Sequence, residues 1–276
     1  MLETPLNEES SMRLRALLLA GVMALSFTAS QAQAVTNGTA DGNAHPYVGA
    51  LVAADWLRPG QKDVLCSGTL ISPTVYLTAA HCTGYLESLG ITQVWVTFDA
   101  EFSSKAKLYS GRMYTHPGYP GNEHDSLDIA VVVLDQPVRG ITPARLPKAG
   151  MFDAMKAAGT LSGQLFTNVG YGGQERVIDA GGPVIGYLDT REVSVSSFSA
   201  LNDTYLRLSQ NVATGDSGTC YGDSGGPQFL GAGAGETNMV VSTTITGDSQ
   251  CVSTNVDYRL DTPSARNFLG QFVVLP

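Results

Sequence analysis

Residues 220–227 read Cys220-Tyr221-Gly222-Asp223-Ser224-Gly225-Gly226-Pro227, and residues 77–82 read Leu77-Thr78-Ala79-Ala80-His81-Cys82. Between them lies Asp125-Ser126-Leu127-Asp128-Ile129-Ala130, running on into Val131-Val132-Val133-Leu134. Together the three segments supply a hydroxyl, an imidazole and a carboxylate. A serine hydroxyl is a weak nucleophile at neutral pH. It needs a base to take its proton, and the base needs a partner that fixes its tautomer. Histidine, then aspartate, then serine is one chain order in which that set occurs.

Outward from these segments the chain reads as β structure. Apolar, β-branched runs predict strands at 47–53, 64–71, 75–80, 93–98 and 129–134, with turn residues between them. A stretch broken by Pro137, Pro143 and Pro147 follows and suits a linker, because proline interrupts strand pairing. A second set is expected at 164–170, 191–198, 204–208, 228–230, 239–246 and 256–261, with a helical turn or two at 151–158. Thr262 before Pro263 reads as a helix N-cap, and Ala265, Phe268, Leu269 and Phe272 fall on one face of the helix it opens. Two β units closed by a C-terminal helix are therefore expected.

Composition agrees. Only 15% of the 276 residues are charged, against about a quarter in an average domain. Glycine is abundant at 31 residues, and the 43% hydrophobic content is enough for a buried core. A net charge of −9 without any Lys/Arg-rich run argues against a nucleic-acid partner. The N-terminus reads as an export signal over residues 1–34. Arg13 and Arg15 precede an apolar run from Ala16 to Leu25, and Ala32-Gln33-Ala34 is a small-x-small cleavage site. The run is too short to span a bilayer, so no stable membrane anchor is expected. Removing 1–34 would change the net charge only from −9 to −8. Export would also place the four cysteines where disulfides persist.

The Thr-Ala-Ala-His-Cys and Gly-Asp-Ser-Gly-Gly-Pro segments resemble those of the chymotrypsin/trypsin family of secreted serine endopeptidases, over nearly all of residues 35–276. The resemblance implies an all-β fold of two antiparallel six-stranded barrels, with the active site between them and a C-terminal α-helix. Residues 35–145 would form the barrel carrying base and acid, and 146–276 the barrel carrying the nucleophile. It implies His81 as general base, Asp128 as its orienting carboxylate and Ser224 as nucleophile, with the N–H groups of Gly222 and Ser224 as oxyanion hole. Asp125 and Asp135 compete with Asp128, but only Asp128 precedes Ile-Ala. Gly215-Asp216-Ser217-Gly218 repeats the nucleophile spelling, yet only Ser224 is followed by Gly226-Pro227 and sits four residues after a cysteine. Gly222 to Gly226 also fits the nucleophile elbow of α/β-hydrolases. That class needs a histidine after the serine, and the four histidines end at His124.

Four cysteines allow three pairings; the family's are Cys66–Cys82, beside the base, and Cys220–Cys251, beside the nucleophile. The resemblance further implies an activation pair in which a new amine at Val35, made by signal cleavage itself, meets Asp223. The S1 pocket, which holds the side chain before the scissile bond (P1), would have Gly218 at its base next to Thr219. Ile245, Thr246 and Gly247 would form the strand that binds substrate backbone. With no carboxylate at that base, an apolar P1 is expected rather than Arg or Lys. No metal or other cofactor is expected. The expected partners are protein or peptide substrates and protein inhibitors, and the protein is expected to be a secreted monomer. The competing reading is a catalytically inactive homologue that serves as a binding module.

Overall fold

The computed structural model describes residues 35–179, 182–187 and 189–276. The expected leader, 1–34, lies outside them. Six strands close the first barrel: β2 (Val48–Ala54), β3 (Lys62–Ser72), β4 (Val75–Thr78), β5 (Val94–Thr97), β6 (Tyr109–Thr115) and β7 (Ala130–Leu134). They run in the order β2-β3-β4-β7-β6-β5, and β5 returns to β2 through Ala50↔Thr97 to Ala53↔Val94. Nearly every residue of β2 and β7 is buried, which is why continuous Val/Ala/Leu runs mark them in the sequence. Leu51, Leu70, Tyr76, Val94, Val96 and Val132 fill the interior.

The second barrel uses β8 (Leu165–Gly170), β11 (Glu192–Leu201), β12 (Tyr205–Ser209), β13 (Pro227–Leu230), β14 (Val240–Gly247) and β15 (Thr254–Arg259). Its order is β11-β12-β15-β14-β13-β8, and pairing of β8 with β11 closes the ring. A hairpin of β9 (Gly173–Asp179) and β10 (Gly182–Tyr187) stands apart as its own two-stranded sheet. All pairings within both barrels are antiparallel. The fold is thus the expected pair of six-stranded barrels with a C-terminal helix.

The ends of the chain cross the expected division at 145/146. β1 (Thr39–Ala40) pairs with β11 of the second barrel, through Thr39↔Val193 and Ala40↔Glu192. The C-terminal helix (Pro263–Leu269) reaches the other way. Its Phe268 ring lies 5.1 Å from the ring of His116, and Phe272 beyond it lies 5.3 Å from Tyr114, a β6 residue. Thr262 caps it as expected, accepting from Ala265 N at 3.3 Å. One cluster of buried residues joins Val48, Leu77 and Val131 of the first barrel to Val169, Phe229 and Tyr258 of the second. The barrels therefore share a core, and residues placed where they meet are held from both sides.

Candidate active site

The strand expected over 75–80 ends at Thr78, and His81 stands in the first turn of the helix α1 (Ala80–Ser88). The first turn of a helix leaves backbone N–H groups without partners, and Ala79 offers no side-chain cap. Asp128 fills that role. Its Oδ1 accepts from His81 N at 2.8 Å, and its Oδ2 lies 2.8 Å from His81 Nδ1. One carboxylate thus fixes both the backbone and the ring of His81, and leaves Nε2 as the ring nitrogen facing outward. The Asp128 side chain is 9% exposed and that of His81 30%.

Asp128 is aimed by a strained neighbour. Leu127 has φ of 53°, a left-handed conformation costly for a side chain of its size. It is held by Leu127 N donating to Asp125 Oδ1 at 2.9 Å and by Ser126 N donating to Tyr205 Oη at 3.0 Å. Tyr258 Oη donates to the same Asp125 oxygen at 2.8 Å. Asp125 is therefore a support for the loop, while Asp135 accepts from Ser110 Oγ. The two tyrosines belong to the second barrel. No motif marks them in the sequence, because the contact joins residues more than 70 positions apart.

The Ser224 loop is fixed just as closely. Ser67, fully buried on β3, donates from Oγ to Gly222 O at 3.0 Å, accepts from Tyr171 N at 2.9 Å, and gives its own N–H to Ser224 O at 2.9 Å. Gly222 has φ of 94°, a conformation that only glycine takes without strain. Neighbouring amides are spent on carbonyls of the loop or of β14: Asp223 N on Cys220 O, Gly225 N on Thr244 O, Gly226 N on Asp223 O. Among the described residues, the N–H groups of Gly222 and Ser224 meet no acceptor. One residue separates these two donors, and such a pair is suited to receive a developing oxyanion beside Ser224.

Both cysteine pairs come together. Cys66–Cys82 joins β3 to α1 with a Cα–Cα distance of 6.4 Å, and Cys220–Cys251 spans 5.3 Å beside the Ser224 loop. Cys66, His81 and Cys82 also cluster tightly enough to suggest a metal site. The bridge consumes both thiols, so that set offers no thiolate ligands.

His81 and Ser224 line one cavity of about 300 Å³, together with Thr219, Ile245, Thr246 and Gly247. Four of the five expected substrate-binding residues are thus in its wall. Gly218 is not. It pairs with Thr36 instead, its N–H donating to Thr36 O at 3.1 Å, and Gln210 lies against it. Asp248, which with Asp216 is close enough in sequence to bear on the pocket, lines the cavity, as does Asn255, which the sequence gave no reason to single out. Asp216 and Ser217 of the repeated spelling lie elsewhere. Ser217 pairs with Val195, and Asp216 caps Ser197 N at 2.9 Å.

The activation pair differs from expectation. Val35 is fully buried, but its nitrogen donates to Glu192 Oε2 at 3.2 Å rather than to Asp223. The Asp223 carboxylate accepts from Gly172 N at 2.8 Å and Cys220 N at 2.9 Å. The reason is chemical. Within the intact chain Val35 N is an uncharged amide with one hydrogen, whereas a fully buried carboxylate calls for an ammonium. Burial, with the charge of Glu192 adding to it, pushes the Asp223 carboxyl up to about 7 against those two backbone hydrogen bonds.

A family model described as Trypsin matches residues 35–267. The chain belongs to the trypsin family. It is 32% identical over 236 residues to a trypsin of the beetle Phaedon cochleariae, covering 79% of this chain and 84% of that one. A trypsin of Saccharopolyspora erythraea is 30% identical over 194 residues, covering 67% and 77%. Glucanase inhibitor protein 1 of Phytophthora sojae is 28% identical over 232 residues, covering 81% and 84%. Among solved structures, HL collagenase superposes with a TM-score of 0.64 over 86% of this chain and 97% of its own, at 18% identity, a likeness of fold alone.

Proposed function

We propose that this member of the trypsin family is a secreted serine endopeptidase. The observation that carries the reading is that His81, held by Asp128, lines one cavity with Ser224, whose N–H and that of Gly222 meet no acceptor among the described residues. Ser224 Oγ attacks the scissile carbonyl carbon and passes its proton to His81 Nε2. Asp128 holds the tautomer and balances the imidazolium. The carbonyl oxygen, now anionic, is received by Gly222 and Ser224 N–H. The C–N bond breaks as the proton moves from His81 to the leaving amine, giving an acyl-serine. Water, deprotonated by His81, then releases the acid and restores the hydroxyl.

Residues 1–34 act as the export signal, and their removal frees the amine of Val35. That ammonium would leave the Glu192 carboxylate that Val35 N now meets and pair with Asp223. The first barrel contributes base and acid and the second the nucleophile. Substrates are proteins or peptides, and protein inhibitors and a monomeric state fit the same reading. Among the described residues no helix is long and apolar enough to cross a membrane. No carboxylate stands at Gly218, which favours an apolar P1 over Arg or Lys, while Asp248, which lines the cavity, gives its oxygens to the N–H groups of Gln250, Val252, Ser253 and Thr254.

The inhibitor-named relatives favour one second reading, a binding module without catalysis. The purified protein beginning at Val35 is expected to cleave unfolded casein, and Ser224→Ala to lower the rate by at least 10³-fold at unchanged thermal stability. Equal rates for the two proteins, or none from either, would favour the binding module.

A further inference from the structure

A second cavity, of about 580 Å³, meets the Ser224 loop at Gly222 and shares no wall residue with the cavity that holds His81 and Ser224. Because the Gly222 N–H is one of the two donors without an acceptor, a carbonyl held there stands where both cavities begin. The wall of the second cavity is mostly apolar, made by Trp56, Leu57, Val64, Leu65 and Tyr171. Val64 and Leu65 belong to β3, the strand whose Ser67 bonds Gly222 and Ser224. Wall and nucleophile loop are therefore fixed to one another. Trp56 is set by its Nε1, which donates to Asp63 O at 3.1 Å.

Arg58, Asp63 and Asp189 complete the wall, two acids against one base. Arg58 is committed to Asp63: its Nε donates to Asp63 Oδ1 at 2.9 Å, and its Nη2 meets the same oxygen. Asp189 is left over. Its backbone is pinned by Phe102 N, which donates to Asp189 O at 2.7 Å, and the residue lines both this cavity and a neighbouring one that Phe102 shares. Among the described residues nothing donates to its carboxylate. Burial and the charge of Asp63 raise that carboxyl above its ordinary range, and Arg58 offsets them only in part. The cavity is thus an apolar trough with one uncompensated, half-buried acid in its wall.

We propose that this cavity receives the second residue after the scissile bond (P2′) and selects a long basic side chain there, arginine or lysine, through Asp189. The proposal rests on the endopeptidase reading above. In that reading P1 enters the cavity of His81 and Ser224, and the scissile carbonyl oxygen meets Gly222 and Ser224 N–H. In an extended chain, residues two apart share a face and stand about 7 Å from one another. P2′ is therefore on the face of P1 but beyond the scissile bond, and the cavity that begins at Gly222 is the one placed to take it. An arginine or lysine lays its methylene stem along Trp56, Leu57 and Leu65 and brings its cation to Asp189. Leucine or phenylalanine covers the same apolar wall but strips water from the Asp189 carboxylate without pairing it. Glutamate meets the like charges of Asp189 and Asp63.

The test uses the protein beginning at Val35 and internally quenched peptides that differ only at P2′: Arg, Lys, Leu, Phe and Glu. P1 is held at the residue that the wild type cleaves best. Active sites are counted with a fluorophosphonate, so that a poorly folded variant is corrected for its labelled fraction. Arg and Lys at P2′ are expected to exceed Leu about fivefold in kcat/KM, and Glu by more. That advantage should shrink as sodium chloride is raised. Asp189→Asn should bring the Arg-to-Leu ratio close to one, and Asp189→Lys should turn the preference toward Glu. A wild type that prefers Leu, Phe or Glu at P2′, or an Arg-to-Leu ratio that neither salt nor the two substitutions move, overturns the proposal. A wild type that takes no label is a different failure: it overturns the endopeptidase reading and this proposal with it.

Discussion

Asp128 shows how much one side chain can be asked to do. Its two oxygens satisfy a helix N-terminus and orient an imidazole at once, each at 2.8 Å. Asp128→Asn keeps the shape but puts a donor where Nδ1–H must be accepted. It should lower kcat by about 10²–10⁴-fold, with a small change in KM, in steady-state assays. Ser67 is the residue whose part is least visible in sequence. It sits in an unremarkable strand, yet bonds Gly222, Tyr171 and Ser224. Ser67→Ala leaves the Gly222 carbonyl and the Tyr171 amide unpaired. It should cost about 1–3 kcal/mol in denaturant unfolding and lower kcat more than it raises KM. His81, Asp128 and Ser224 were legible because their chemistry is bound to short local spellings. Ser67, Tyr205 and Tyr258 were not, because each acts through contacts between segments distant in sequence.

Among the elements, the buried, β-branched strands were readable to within a few residues. β3 starts two residues earlier than its apolar run because its first turn of backbone pairs beyond the core, as in Ala54↔Lys62. β6 was missed because it is half exposed and carries Gly111, Arg112 and Tyr114 in place of an apolar run. The β9–β10 hairpin was missed for a related reason: β9 is mostly Gly, Gln, Glu, Arg and Asp, and β10 offers only the short Val184-Ile185 run between Gly182-Pro183 and Gly186. Helix α1 was missed, and its first residue was read as the end of a strand, because Leu77-Thr78-Ala79-Ala80 continues the β4 pattern. The Asp223 loop carries a prediction of its own. In the intact chain its carboxyl titrates near 7, above its ordinary 3.8. A raised carboxyl favours the fold while protonated, so that stability is full below about pH 4 and lost as pH rises through 7. A Val35 ammonium reverses this by favouring the carboxylate. Between pH 4 and 8 the intact chain should lose unfolding free energy relative to the chain beginning at Val35. Asp223→Asn should remove that divergence, whereas parallel curves would count against the activation pair.

In the molecule as a whole, the N-terminal segment is tied down by a buried ionic cluster far from the cleft residues. His45 bonds Asp41, and its Nε2 lies 2.6 Å from Glu236 Oε1. Arg191, fully buried, donates to Asp41 Oδ2 at 2.7 Å and to the carbonyls of Val48 and Phe98 in or beside first-barrel strands. Burial works to lower the His45 pKa, but the hydrogen bonds to Asp41 and Glu236 outweigh it and raise it to about 9. A raised histidine stabilises the fold fully below its ordinary 6.5, and that contribution fades as pH rises through 9. Denaturant unfolding between pH 6 and 10 should therefore show a loss that His45→Gln flattens. Removing one member of such a buried cluster strands the charges of the others, so the variant should also be less stable at pH 6.

Everything proposed for the cleft depends on Ser224 being an activated nucleophile. The most direct measurement is intact-mass and peptide analysis of the protein beginning at Val35 after treatment with a fluorophosphonate. One adduct is expected, on the peptide that contains Ser224, and none in Ser224→Ala. An unmodified wild type, or an adduct that persists in the variant on Ser217 or elsewhere, would contradict the account.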